Sequence, residues 1–448
     1  MKAIPPEVLG NIFAFASSAP YKPRPYDEID MDAAQLPYRV SAVCSLWHSA
    51  ALATPRCWTY VALPFIGRSS AKSLQAHFAR ILDRSGVLPL DVVLRVGRYR
   101  IEDELYVDDD ILATLGANAE RLQSLFMRTS AHKIIDWAIM FKFLMVLCYP
   151  LPVLNRLVIV CDSMIDSILH SPKFHLGYPV RPFPAVLIDA PMLEEIHAVY
   201  TPIFLSQQHP GLPRLRSFEL ETASFMHAHL FSDTIAGMPC LERLTVCCGV
   251  VMVVDMGSTT SSSEREQISL PLTTLELSEN ASPVMRGVAL PKLQRLTLPI
   301  NGLKYVDASS DALVDLRVSP VCLRPSELAL ISRFKAIERV ALVGESVFGA
   351  GSLHTLCDTL CDALCDSVCP LWPRLRVLEL HMLKAIATHD AEQSLLRMIE
   401  FRHFRRDVNA STNMARLETI VFDDVSILPE VAARIKDIMG DSCVLLRA

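Results

Sequence analysis

Residues Leu290 to Leu298 read Leu-Pro-Lys-Leu-Gln-Arg-Leu-Thr-Leu, an apolar skeleton of the form Pro-x-Leu-x-x-Leu-x-Leu. Its last three residues alternate apolar and polar, which predicts a short strand with one buried face. The skeleton returns down most of the chain. Leu122, Leu154, Leu193, Leu215, Leu241, Leu272, Leu293, Leu313, Ile337, Leu375 and Leu417 each open a copy, at steps of 20 to 42 residues. Seven of these openers follow a proline by one or two residues. One repeat cannot bury its own apolar face, so the repeats must stack. The expected product is an α/β chain with a parallel inner sheet and helices or turns outside it. Residues 223–235, 326–334, 352–368, 391–404 and 430–439 have helical spacing. The repeats opened by Leu272 and Leu293 are too short for a full helix and are expected to close with turns.

The skeleton resembles the leucine-rich repeat, whose pattern is Leu-x-x-Leu-x-Leu followed shortly by Asn or Cys. Leu272 to Asn280 is the best match, and most copies lack the Asn. The resemblance therefore implies a degenerate, irregular solenoid over about residues 118 to 440.

The first 63 residues differ from the rest. Pro5, Pro6 and Glu7 open a helix that carries Val8, Leu9, Ile12, Phe13 and Ala16 at helical spacing. Ser17 to Pro37 is polar and proline-bearing, and reads as a solvated loop. Val40, Val43, Cys44 and Trp47 read as one second helix, and Trp58 to Leu63 as a strand. This block resembles the F-box, on Pro5-Pro6-Glu7-Val8-Leu9, Ile12-Phe13, Val43-Cys44, Trp47, Pro55 and Trp58. Ile4 in place of Leu, Ser45 in place of a basic residue and the long insert depart from the family pattern. The resemblance implies an F-box-like domain at 1–63 and a repeat solenoid at 64–448. It implies an adaptor-binding set of Pro5, Pro6, Leu9, Ile12 and Phe13. The residues are also consistent with a helical cap that covers the end of the solenoid.

A length of 448 residues exceeds what one core usually holds. The formal charge of -6, from 43 basic and 49 acidic side chains without a long charge run, argues against nucleic acid or a membrane surface as partner. The longest apolar run, Trp137 to Tyr149, is short of the ~20 residues that cross a bilayer and reads as a buried helix. No secretion signal is recognisable. The 13 cysteines have no secreted-type framework, so they read as reduced thiols in the cytoplasm or nucleus. Val87 to Val96 reads as a strand pairing with the Trp58 to Leu63 strand. Asp108 to Asp110 suit a helix N-terminus rather than a metal. The Ser-rich stretch 257–263 reads as a surface linker.

No catalytic spacing is visible, so no enzyme activity and no cofactor is expected. Cys357, Cys361, Cys365 and Cys369 recur every four residues. On one helix the first and last would stand ~18 Å apart, so they cannot close one tetrahedral site, and no metal is expected. His227 and His229 would point to different faces of a helix.

The strand face is more informative. The second and third Leu of each skeleton point inward, so their neighbours form outward columns. The candidate target-binding set is Arg243, Thr245, Glu276, Arg295, Thr297, Arg317 and Arg339, with the four arginines in neighbouring repeats. A plain solvated face fits the same mixed charges. If the F-box resemblance holds, the chain is the substrate-recognition subunit of a cullin-RING ubiquitin ligase. Its helices would dock on the Skp-type adaptor and cullin, and its repeats would hold a target protein. The other reading is a non-catalytic repeat scaffold.

Overall fold

A computed structural model of the 448-residue chain describes residues 4–17, 31–64, 71–97, 109–130, 144–161, 189–199, 211–222, 231, 234–248, 268–278, 281–309, 311–319, 325–343, 360–365, 371–381, 389–404, 414–423, 429–440 and 443–446. Two compact units form: Met1–Phe225 with Asp233–Leu241 and Gly249–Val251, and Met226–Ser232 with Glu242–Cys248 and Met252–Ala448. The fold class is α/β, built on extensive parallel sheet.

The first unit opens with helices α1 (Pro6–Ser17), α2 (Met31–Ser41) and α3 (Ser45–Leu52). Strands β1 (Tyr60–Pro64), β2 (Leu90–Gly97), β3 (Leu122–Ser130), β4 (Arg156–Cys161), β5 (Glu195–Val199) and β6 (Ser217–Thr222) follow. They pair in sequence order, every pair parallel. Helix α4 (Ala71–Ser85) links β1 to β2, and α5 (Asp109–Ala117) links β2 to β3.

The second unit contains β7 (Arg243–Cys248), β8 (Ile268–Ser269), β9 (Thr274–Leu277), β10 (Val288–Leu290), β11 (Arg295–Pro299), β12 (Asp307–Ala308) and β13 (Asp315–Ser319). It closes with β14 (Arg339–Val343), β15 (Val377–His381), β16 (Thr419–Asp423) and β17 (Cys443–Leu446). Its main sheet runs β7-β9-β11-β13-β14-β15-β16-β17, all parallel. A second, three-stranded parallel sheet, β12-β10-β8, lies in the connections. Helices α6 (Pro325–Ser332), α7 (His389–Phe404) and α8 (Pro429–Met439) join the later strands.

The repeated skeleton accounts for this geometry residue by residue. All eleven openers have zero exposure. Ten of them stand two residues before a strand, and Leu122 itself begins β3. Leu244, Leu275, Leu296, Leu316, Val340, Leu378 and Ile420 are side by side in register and at most 1 % exposed. The ladder starts one residue early, because the residue after nine of the eleven openers also donates to the preceding repeat. Gln294 donates to Thr273 (3.0 Å), Val314 to Gln294 (2.9 Å) and Glu338 to Val314 (2.9 Å). The prolines have a specific task. Pro152, Pro191, Pro213, Pro239, Pro291 and Pro373 each occupy the second position of a turn that closes with the opener N–H on the carbonyl three residues back, at 3.1–3.4 Å. Proline presets the φ that this position needs.

Short repeats do close with turns, the 3-10 segments Ser282–Met285 and Ile300–Tyr305. They stack closely at Gly302, where a Cβ would stand 2.2 Å from Ser282 Oγ and 2.7 Å from Ser282 Cβ. Gly302→Ala is therefore expected to cost about 1–3 kcal/mol by overpacking. Urea unfolding would show the loss, and adding Ser282→Gly should recover part of it. A neutral Gly302→Ala would mean that the turns do not stack this way.

Several expectations need correction. Residues 17–37 are not all loop: α2 begins at Met31 and contains Pro37. An internal proline costs a helix roughly 3 kcal/mol, but Ala33, Pro37 and Val40 are buried at helical spacing on the inner side of α2 and offset it. The second helix is two helices, with a break at 42–44. Val87 lies in a turn at 90 % exposure, and β2 starts at Leu90. Strand β1 spans residue 63, and the helices before it lie in the same unit as β1–β6. Asn280, His227, His229, Cys357, Cys369 and stretch 257–263 lie outside the described residues, as do residues 137–143 of the apolar run.

Candidate functional site

Two surfaces carry the candidate residues. The first is the N-terminal helical module. Helix α1 turns Leu9 and Phe13 inward, each 3 % exposed, and Phe13 meets Trp47 of α3 at 5.1 Å between ring centroids. Gly10 allows this approach, since a Cβ there would stand 2.3 Å from Thr54 Oγ1. Trp58 anchors the module. Its Nε1 donates to Ala51 O at 2.9 Å, Tyr38 meets it edge-on at 5.0 Å, and Arg84 of α4 lies 4.3 Å over its ring. Burial pushes the Cys57 thiol up to about 11, against a hydrogen bond with Ser17 that lowers it, so Cys57 is a neutral core thiol.

The opposite side of α1 is apolar and exposed. Val8, Ile12 and Phe15 fall within one arc of the helix at 46, 51 and 83 % exposure, and Ile4 precedes them at 51 %. Val43 and Leu46, at and beside the start of α3, are exposed as well. Of the expected adaptor contacts, Pro5, Pro6 and Ile12 are thus at the surface, while Leu9 and Phe13 hold α1 to its own module. Phe15 joins the exposed stripe and was not among the expected contacts. The 4-8-12-15 spacing was the available signal, but two apolar stripes on one short helix do not announce which is buried.

The second surface is the outward face of the strands. Register places Arg243, Thr274, Arg295, Asp315 and Arg339 in one row, and Thr245, Glu276, Thr297, Arg317 and Ala341 in the next. All seven expected target contacts therefore share one face of the second unit, and all are at least partly exposed. The four arginines are not equivalent. Arg295 Nε pairs with Asp315 at 3.1 Å. Arg339 Nε donates to Glu379 Oε1 at 2.7 Å, and Glu379 also meets His381 Nε2 at 3.0 Å. His381 Nδ1 in turn faces Asp423 at 3.1 Å. Among the described residues, Arg243 and Arg317 have no hydrogen bond or ion pair. The arginine cluster thus reduces to two unengaged cations, with the exposed Glu276 in a strand between them.

In the first unit part of the same face is covered, while His197 and Glu219 remain partly exposed. Val158, Val160, Val93, Phe126, Ala62 and Tyr60 form a buried cluster with Val199 and with Ala33 of α2. Arg156 is itself nearly buried and pairs with Glu195 at 3.2 Å. The outward columns are therefore a surface from Arg243 to Arg317, and are buried at Ala341 and Glu379 as they are at Val158.

Burial alone would raise the Glu379 carboxyl. Hydrogen bonds from His381 and Arg339 outweigh it and leave the pKa below the ordinary 4.5. A depressed pKa contributes stability that is present above the unfolded value and is lost as pH falls through the folded one. Glu379→Gln is expected to lower stability at pH 7 and to make little difference at about pH 3. Urea titrations at both pH values check this, and an equal loss at both would place the effect in packing instead.

Cys361 is buried and Cys365 half-buried in the helical segment 360–365. Among the described residues no group of three or more His, Cys, Asp or Glu could hold a metal ion, and no helix is long and apolar enough to cross a membrane. No family model and no curated protein matches the chain.

Proposed function

We propose that this chain is a non-catalytic receptor subunit. In this reading its N-terminal helices dock on the Skp-type adaptor of a cullin-RING ubiquitin ligase, and its strand face holds a target protein. The observation that carries the reading is the exposed apolar stripe Ile4, Val8, Ile12 and Phe15 on a helix already anchored by Leu9 and Phe13. A folded module rarely leaves such a stripe in water without a partner. The F-box resemblance at Pro5-Pro6-Glu7-Val8-Leu9 and Val43-Cys44 supplies the class of partner. Target contact falls to Arg243, Glu276 and Arg317, whose charges have no hydrogen bond or ion pair among the described residues. Such groups set partner choice more than folding. The chain supplies proximity between target and ligase, and needs no bond chemistry of its own.

The test is direct. Tagged full-length chain should retain a co-expressed Skp-type adaptor through gel filtration. If it does not, while a known F-box protein does so under the same conditions, the reading fails. A repeat scaffold with a helical cap is the second reading. Ala33 of α2 favours it, because that side chain belongs to the buried cluster on the strand face of the first unit. The scaffold reading predicts no adaptor binding.

A further inference from the structure

Among the described residues, three charges on the strand face of the second unit have no hydrogen bond or ion pair: Arg243 on β7, Glu276 on β9 and Arg317 on β13. All three are exposed. Two other arginines of this face are engaged, Arg295 with Asp315 and Arg339 with Glu379. Register fixes the layout. Glu276, Thr297 and Arg317 stand in one row on the neighbouring strands β9, β11 and β13. Arg243 is one strand beyond Glu276 and two residues off that row, since it is opposite Thr274 while Thr245 is opposite Glu276. Strands lie about 4.8 Å apart and two residues span about 6.7 Å, so the main chain at Arg243 is about 8 Å from Glu276, and Glu276 about 10 Å from Arg317. The charges alternate plus, minus, plus along a nearly straight line of about 16 Å.

The alternation restricts the partner. A purely acidic ligand, whether a run of carboxylates or of phosphates, would meet Glu276 between the two arginines, and such like-charge contacts reject a partner. An apolar partner finds no anchor, because among the described residues no exposed large apolar side chain belongs to β7, β9, β11 or β13. Thr245 and Thr297 flank Glu276, partly exposed and without a hydrogen bond among the described residues. Their short side chains let a main chain approach, and their hydroxyls both donate and accept. An extended segment has unpaired N–H and C=O groups along its length to meet them, whereas a helix has them only at its ends.

We infer that this face binds an extended protein segment of the form acid-x-base-x-acid, with an acidic residue for each unengaged arginine and a Lys or Arg for Glu276. Alternate residues of an extended chain share one side at about 6.7 Å spacing, so its first, third and fifth residues follow the line of charges. The long basic side chains take up the remaining distance. That the occupant is a protein rests on the receptor reading; the charge order supplies its chemistry.

Selection of a random linear peptide library, displayed on phage, against the immobilised full-length chain tests this. The wild-type chain should enrich acid-x-base-x-acid. The charge-swapped chain, Arg243→Glu with Glu276→Arg and Arg317→Glu, should enrich base-x-acid-x-base and bind the wild-type peptides at least about tenfold more weakly. Exposed charges contribute little to folding, so the two chains should melt alike. If the triple variant fails to fold, Glu276→Arg alone should change only the middle position of the enriched pattern, from base to acid. No enrichment, enrichment of purely acidic or apolar peptides, or the same pattern from both chains overturns the inference. Adaptor capture is read separately. A chain that selects the pattern but retains no adaptor loses the receptor reading and keeps this segment-binding face, and a chain that retains adaptor but selects no pattern does the reverse.

Discussion

Leu296→Asp is expected to unfold the repeats around β11, whereas Thr297→Asp one residue away leaves them folded. Leu296 has zero exposure and lies in register between Leu275 and Leu316, which are equally buried. The substitution removes a side chain whose truncation alone costs about 2–5 kcal/mol. It also adds a carboxylate with no partner, worth several kcal/mol more unless the group takes up a proton. The sum reaches the roughly 5–15 kcal/mol that holds a folded domain together. Thr297 points to the other face, half-exposed between Glu276 and Arg317. An Asp there stays hydrated, with an expected change of about 0.5 kcal/mol. Circular dichroism and urea unfolding of the two variants would separate these outcomes. Similar damage from both would mean that the inward and outward faces of β11 are assigned wrongly.

The second large effect is on adaptor capture. Val8→Asp with Ile12→Asp is expected to abolish recovery of the Skp-type adaptor, while the melting temperature changes little. Both side chains are about half exposed, so their charges remain in water and the fold is nearly indifferent. A central apolar anchor of a helix-in-groove contact contributes about 2 kcal/mol or more, so each loss weakens binding about 30-fold. Leu9 and Phe13 are poor test sites despite their place in the resemblance, because truncating them opens a cavity under α1. If the double variant still captures adaptor at wild-type levels, docking does not use this stripe.

The α/β class, the parallel pairing and the register of the strands followed from apolar spacing alone. Leu-x-x-Leu-x-Leu allows one inward face, and a shift by one residue would turn Leu296 and Leu298 out into water. The row holding Arg243, Arg295 and Arg339 was legible for the same reason. Proline before the openers was visible as a pattern, and the turn geometry gives its cause. What the spacing cannot carry is which face something else covers. The outward residue Val158 is buried in one cluster with Ala33 of α2, and α2 forms across Pro37 because tertiary burial outweighs a local penalty. Pairing of Arg295 with Asp315 and of Arg339 with Glu379 depends on side chains 20 and 40 residues apart in sequence. Periodicity determines which side of a strand is apolar; the packing of distant segments alone decides which charges are paired and which faces are covered.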